Sequence, residues 1–183
     1  MIFLAFNTHE DKKKFEYIYD RYNRLLLYKA YEVLRDQSLA EDAVSEAFIR
    51  IYKNLNKVNI DDAGKTAAFL VIIARNCALT ILSKQRRDSL ANIDDLDLVS
   101  QDDVEGSVIS NCTAKEIMKV IGNLKDNLKE PFLLKFAYNM SHKEIAELLN
   151  LSESNVTVRI HRAKAKLAKL LQEGGFNSEH RSK

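Results

Sequence analysis

The chain has 183 residues, 28 Lys and Arg against 26 Asp and Glu, five Gly, one Pro and two Cys. That length suits one large domain or two small ones, and no apolar run approaches the ~20 residues that cross a bilayer. Cys77 and Cys112 lie too far apart in the chain to suggest a metal site or a disulfide framework, which points to the cytoplasm.

The formal charge of +2 is unevenly spread. Residues 1–87 hold 15 basic against 11 acidic groups, residues 88–112 none against 7, and residues 113–183 hold 13 against 8. Two basic blocks are thus joined by an acidic strip.

The opening MIFLAFN lacks a basic lead-in and runs into Thr8 and charges, so it reads as a segment packed on the core and not a signal peptide. A 3.6-residue period then predicts a helix from Thr8 to Arg35, with Phe15, Ile18, Tyr19, Tyr22, Leu25, Leu26 and Tyr31 as its apolar and aromatic members. After a turn at Asp36-Gln37, Ser38 and Glu41 have the spacing of a capping box and open a helix to Leu55. Val44, Ala47, Phe48, Ile51 and Leu55 form its inward stripe. Asp42, Ser45, Glu46, Ile49 and Lys53 face out, with Arg50 at the edge. A solvated surface is the default reading of that face, and a helix-docking patch around Ile49 is the second.

A polar loop, Asn56 to Lys65, precedes a third helix from Ala67 to Arg87. Leu70, Ala74, Cys77 and Ile81 share its inward arc, whereas Arg75, Asn76, Ser83 and Arg86 lie on or beside the opposite one, followed by Arg87. Ile72 and Leu79 fall on the outer side too, so part of it must pack. Basic and amide groups in this setting suit phosphates and a few bases, although a basic helix end is often only a soluble one. The strip 88–112 has no clear period and repels itself, as an extended linker does. Helical pattern resumes near Thr113, breaks around Lys125 to Asn127, and continues to Glu173, where Gly174-Gly175 stops it before a disordered tail, 176–183.

Within that last block, SHKEIAELLNLSESNVTVRIHRAKAKLAKL has the form of a helix-turn-helix. Ser141 and Glu144 make a capping box, and Ile145, Leu148 and Leu149 give an apolar face beside the small Ala146. Asn150-Leu151-Ser152 is the turn, with Ser152 a second N-cap. Val156, Ile160, Ala163 and Leu167 then fall in one narrow arc, which is buried. The opposite arc holds Ser154, Val158, His161, Arg162 and Ala165, flanked by Asn155, Thr157 and Arg159. Hydroxyl, amide, guanidinium and apolar groups together suit base edges, phosphates and thymine methyls. The outward Val158 and the paired caps favour DNA binding over a merely solvated basic helix.

Taken in order, SLAEDAVSEAFIRIYKNL, AAFLVIIARNCALTILSKQRR, an acidic linker and MSHKEIAELLNLSESNVTVRIHRAKAKL resemble an extracytoplasmic-function (ECF) sigma factor of bacterial RNA polymerase, from about Phe15 to Leu171. The resemblance implies an all-α protein of two small helical domains. One is a region-2-like domain over 1–87 and the other a region-4-like domain over 113–175, joined by the linker 88–112. It implies that Asp42, Ser45, Glu46, Ile49, Arg50 and Lys53 dock on the β′ clamp of core polymerase. Asn59, Asp61, Lys65, Arg75, Asn76, Ser83, Arg86 and Arg87 would read and melt the minus-ten element, with one base pulled from the stack. Ser154, Asn155, Thr157, Val158, Arg159, His161 and Arg162 would read the minus-thirty-five element.

The implied partners are core polymerase, through its β′ and β subunits, promoter DNA and an anti-sigma factor, with no cofactor, metal, small-molecule substrate or membrane insertion. Phe69 stands where the family usually has Trp, and Leu124-Lys125 where it has Leu-Pro; Arg and Ser often occupy the positions of Thr157 and Val158. An ordinary two-domain operator-binding regulator is the alternative reading of the helix-turn-helix. An enzyme fits poorly, because His9, His142, His161 and His180 are scattered and no Gly-rich phosphate loop is present.

Overall fold

The structure is a computed structural model that describes residue 6, residues 8–89 and residues 119–173, without the side chains of 87–89, 172 and 173. Expectations for the first five residues, the linker beyond residue 89, Cys112, the Gly174-Gly175 stop and the tail fall outside the described residues. All described regular elements are helical. They are α1 (His9–Leu34), α2 (Gln37–Lys53), a 3₁₀ turn (Leu55–Lys57), α3 (Ala63–Ser89), a helical turn at 119–122, α4 (Asp126–Phe136), α5 (His142–Leu149) and α6 (Glu153–Glu173). The chain divides into two compact units, Met1–Asp95 and Leu96–Lys183.

In the first unit α1, α2 and α3 each pack on the other two. The Thr8 hydroxyl accepts from the Asp11 N–H at 3.0 Å and starts α1. Arg35, at φ 55°, ends it by returning its N–H to the Tyr31 carbonyl. The buried residues Ile18, Tyr22, Leu26, Ala30 and Leu34 recur every four positions, so their stripe winds slowly around the helix. Tyr19 and Tyr31 each follow a stripe residue directly, which turns them about 100° away, and both are exposed. Tyr19 rests on the rim, 4.9 Å from the Phe48 ring. Phe6, the described residue of the opening segment, packs against Phe15 and Tyr52 at 5.5 and 5.3 Å.

Two boundaries differ from the sequence reading for the same reason. The Asp36 carboxylate accepts from the Leu39 N–H at 2.9 Å, so α2 begins at Gln37 and Ser38 lies inside its first turn. The Asp62 carboxylate accepts from the Lys65 N–H at 2.9 Å, so α3 begins at Ala63, four residues before the predicted start. A carboxylate at a helix N-terminus is both cap and counter-charge to the dipole, and it outcompetes later candidates. α2 ends at Lys53, and the 3₁₀ turn carries Leu55 into the core. Ala40, Ala43 and Ala47 are buried with Val44, Phe48 and Ile51, and the small residues let α2 approach its neighbours closely.

Phe69, Leu70, Ile73, Ala74 and Ala78 on α3 are wholly buried, and Ile72 and Cys77 nearly so. Phe69 therefore fills its core position as a larger aromatic would. Ile72 packs, as the sequence suggested, whereas Leu79 is exposed. Ala63–Arg86 has the length and mean hydropathy (1.7) of a membrane crossing, but its apolar side is consumed by α1 and α2. Burial pushes the Cys77 thiol up to about 11; Arg50 lowers it and Glu46 raises it by smaller amounts.

In the second unit Val120, Ile121 and Leu124 pack with Ala163, Leu167 and Leu171, and Leu128, Phe132, Leu133 and Leu170 close around them. Leu134, Met140, Ile145, Leu148 and Val156 are wholly buried. Pro131 sits buried inside α4, where it gives no N–H to the helix. Ahead of the Ser141 cap the helical pattern is interrupted over 137–141, because Asn139 takes φ 52° and the Met140 N–H turns back to the Leu134 carbonyl at 3.1 Å.

Candidate nucleic-acid interface

α5 has eight residues, too few to persist alone, and its ends are therefore decisive. The Ser141 hydroxyl accepts from the Glu144 N–H at 3.2 Å, and the Ser141 N–H donates to Glu144 Oε2 at 2.7 Å. Both halves of the capping box form, as the spacing predicts. At the other end Asn150 is left-handed (φ 54°), and the Leu151 N–H donates to the Ala146 carbonyl at 2.9 Å. The Ser152 hydroxyl then accepts from the Asn155 N–H at 3.2 Å and starts α6. Two caps and a one-residue left-handed turn thus fix the angle between the helices.

Ile145, Ala146, Leu148 and Leu149 on α5 are buried, as are Val156, Ile160, Ala163 and Leu167 on α6. The other side of α6 is left to solvent: Ser154, Asn155, Thr157 and His161 are exposed, and Val158, Arg159 and Arg162 are half-buried. Arg159 Nε donates to Asn155 Oδ1 at 2.6 Å, so these two present one joined polar surface. The Thr157 hydroxyl gives its proton to the Glu153 carbonyl at 2.9 Å and meets His142 Nδ1 at 3.0 Å. The contact ties the start of α5 to the exposed side of α6. All seven residues read from the sequence as minus-thirty-five contacts are accessible on one helix.

In the first unit the loop before α3 is held by its own side chains. Asn59 Oδ1 accepts from the Asp61 N–H at 3.0 Å, and the Thr66 hydroxyl donates to the Asn59 carbonyl. Asn59, Asp61 and Lys65 are exposed around it, with Ile60, which the sequence reading passed over, at its tip. Arg75 and Asn76 are half-buried on α3, and Ser83 and Arg86 are exposed. Arg87 belongs to the last turns of α3, but its side chain lies outside the described residues.

On α2, Asp42, Ser45, Glu46 and Lys53 are exposed and Ile49 is half-buried. Ser45 borders an open groove of about 650 Å³ between α1 and α2, lined by Phe15, Val44 and Phe48 with Tyr19 at its rim. Arg50 behaves differently from its neighbours. Its Nε pairs with Glu46 Oε1 at 2.8 Å, while Nη1 donates to Asn76 Oδ1 at 3.3 Å across to α3. Position on a helical wheel does not reveal such a bridge, because it depends on what α3 places opposite.

Residues 18–88 match the model of sigma-70 region 2, and residues 114–167 that of sigma-70 region 4. The sigma factor SigW of Bacillus subtilis is 30% identical over 173 residues, covering 89% of this chain and 91% of that protein. The chain belongs to the ECF sigma factors. SigM of the same organism is 28% identical over 172 residues, with 89% and 94% covered. Among solved structures, the sigma factor RpoE in complex with the anti-sigma factor NepR from Bartonella quintana matches 87% of this chain at 18% identity and a TM-score of 0.38. Region 2, spanning most of the first unit, separates an ECF sigma factor from an operator-binding regulator that carries a helix-turn-helix alone. Sigma factors are transcription initiation factors, not catalysts. This one is a dissociable subunit that binds core RNA polymerase, directs it to specific promoters and promotes initiation.

Proposed function

We propose that the two units divide promoter recognition, with region 2 also making the polymerase contact. Asp42, Ser45, Glu46, Ile49 and Lys53 dock on the β′ clamp, and Arg50 links that face to the strand-reading side of α3. Asn59, Asp61, Lys65, Arg75, Asn76, Ser83, Arg86 and Arg87 take the minus-ten element, and Ser154, Asn155, Thr157, Val158, Arg159, His161 and Arg162 the minus-thirty-five element. The working boundaries are 1–87, 88–112 and 113–175. The observation that supports this division is the separation of faces on α6, where a fully buried apolar arc backs an accessible arc of mixed hydrogen-bonding groups. Nothing in the proposed role asks the chain for chemistry of its own. It acts in the cytoplasm, in a stress or envelope response, restrained by an anti-sigma factor until the signal arrives.

Purified full-length chain added to core polymerase will yield transcripts from specific start sites that core enzyme alone does not use. Start-site mapping then gives both promoter elements. Transcription indistinguishable from that of core enzyme would overturn the reading.

A further inference from the structure

The outer side of α1 carries a pattern that neither polymerase docking nor reading of the minus-ten element uses. Lys13, Tyr17, Arg21, Arg24, Tyr28 and Tyr31 are all exposed and, at 100° per residue, fall within an arc of about 80° along about 27 Å of helix. The tyrosines are 41, 58 and 40% exposed, high for side chains whose rings bury well. Lys13 and Tyr17 recur as Arg24 and Tyr28 eleven residues later, three helical turns on, so one basic–aromatic pair is presented twice on the same line. Lys13, Arg21 and Arg24 make no ion pair among the described residues.

The acidic groups near the ridge are accounted for otherwise. Glu10 sits in the first turn, where the helix dipole favours it, Asp20 lies on the flank, and Glu32 is held by Lys29 at 2.8 Å and by a hydrogen bond from Tyr28, whose ring has the Lys29 ammonium 5.2 Å from its centre. α1 packs directly on α3, and Lys29, on the flank of the ridge towards α3, feels the opposing charge of Arg75.

Cations that follow a phosphate backbone, alternating with aromatic faces on which bases stack, are the elements of a single-strand binding track. We propose that this ridge of α1 binds single-stranded DNA, namely the non-template strand released where the promoter opens beside α3. The inference rests on the reading of α3 as the minus-ten surface and extends the strand's path onto a second helix.

The test uses full-length protein bound to core polymerase and two fluorescent promoter probes. One is a fork with a long single-stranded non-template extension; the other is its fully duplex counterpart. With R21A/R24A, the slope of log K against log salt falls by about 1.4 on the extended fork, at about 0.7 for each lost phosphate contact, and is unchanged on the duplex. Y17A/Y28A weakens the extended fork about tenfold, and Y17F/Y28F restores it, since a phenyl ring stacks as well. Circular dichroism verifies that the variants are folded. Unchanged slope and affinity on the extended fork would overturn the proposal, as would a loss confined to core binding, which would make the ridge a protein contact. If N76A weakens the fork and the ridge variants do not, the ridge alone fails. If the ridge variants weaken it and R75A and N76A do not, the α3 reading fails and the ridge remains a separate strand site.

Discussion

Replacing Arg50 with Ala separates two roles that its place on α2 superposes. Its Nε pairs with Glu46 at 2.8 Å, and its Nη1 reaches Asn76 on α3 at 3.3 Å. The Glu46 side chain is 48% exposed, so solvent screens the ion pair to about 0.3–0.5 kcal/mol. The hydrogen bond to Asn76 is charge-assisted but long and only partly buried, and contributes about 1 kcal/mol. R50A should therefore destabilise the first unit by about 1–2 kcal/mol, a drop of roughly 0.5–1 M in urea midpoint for a slope of about 2 kcal/mol/M. The functional outcome is more discriminating. An Asn76 amide released from its guanidinium loses its fixed orientation, so R50A should weaken binding of a promoter fork by up to about tenfold. Affinity for core polymerase should change less than twofold. The double variant R50A/N76A should bind the fork no worse than N76A, because the two residues act through one contact. Fluorescence anisotropy with labelled core and labelled fork reads both quantities on the same preparations. Weakened core binding with an intact, additive Asn76 effect would refute the positioning argument and make Arg50 a docking residue.

Ile49→Asp should abolish association with core polymerase in analytical size exclusion while leaving the circular dichroism spectrum unchanged, since Ile49 is half-buried at the surface; unaltered affinity would remove α2 from the docking face. Arg162→Ala should weaken binding to duplex minus-thirty-five DNA and reduce its salt slope by about 0.9 if the guanidinium neutralises a phosphate, with titration across salt as the measurement. Cys77, with Cys112 replaced by Ser, should resist iodoacetamide at pH 8 in the folded protein and react on denaturation, read by mass spectrometry. Its folded pKa of about 11 lies above the ordinary value of 9.0, so the neutral thiol's contribution to stability is full below about pH 9 and is lost as pH rises towards 11.

What the sequence disclosed follows from which interactions are local. The capping box at Ser141, the Ser152 cap and the buried arc from Val156 to Leu167 depend on spacing within one helix, and they appear as read. The starts of α2 and α3 differ from the sequence reading because Asp36 and Asp62, which the apolar period does not mark, cap the helices ahead of it. The period of α1 lists its apolar and aromatic members without saying which are buried, and a stripe that recurs every four residues drifts away from Tyr19 and Tyr31. The eleven-residue recurrence of basic–aromatic pairs on α1 was visible in principle, but only exposure separates a ridge from a core edge. The Arg50–Asn76 bridge joins residues 26 apart, and no periodic pattern within α2 or α3 encodes it.

Up to Ala78, α3 is deeply packed, and that stretch bears Arg75 and Asn76; the described residues beyond it, Ser83 and Arg86 among them, are half-buried or exposed. A surface carried on such a strut inherits its rigidity. If Arg75 and Asn76 meet the promoter strand as proposed, the backbone beneath them has little freedom to surrender, and a few rotamers need to settle, at about 0.5–1.5 kcal/mol each. Recognition can therefore be retuned by exchanging outward side chains while the scaffold stays still, so closely similar helices can serve different promoters.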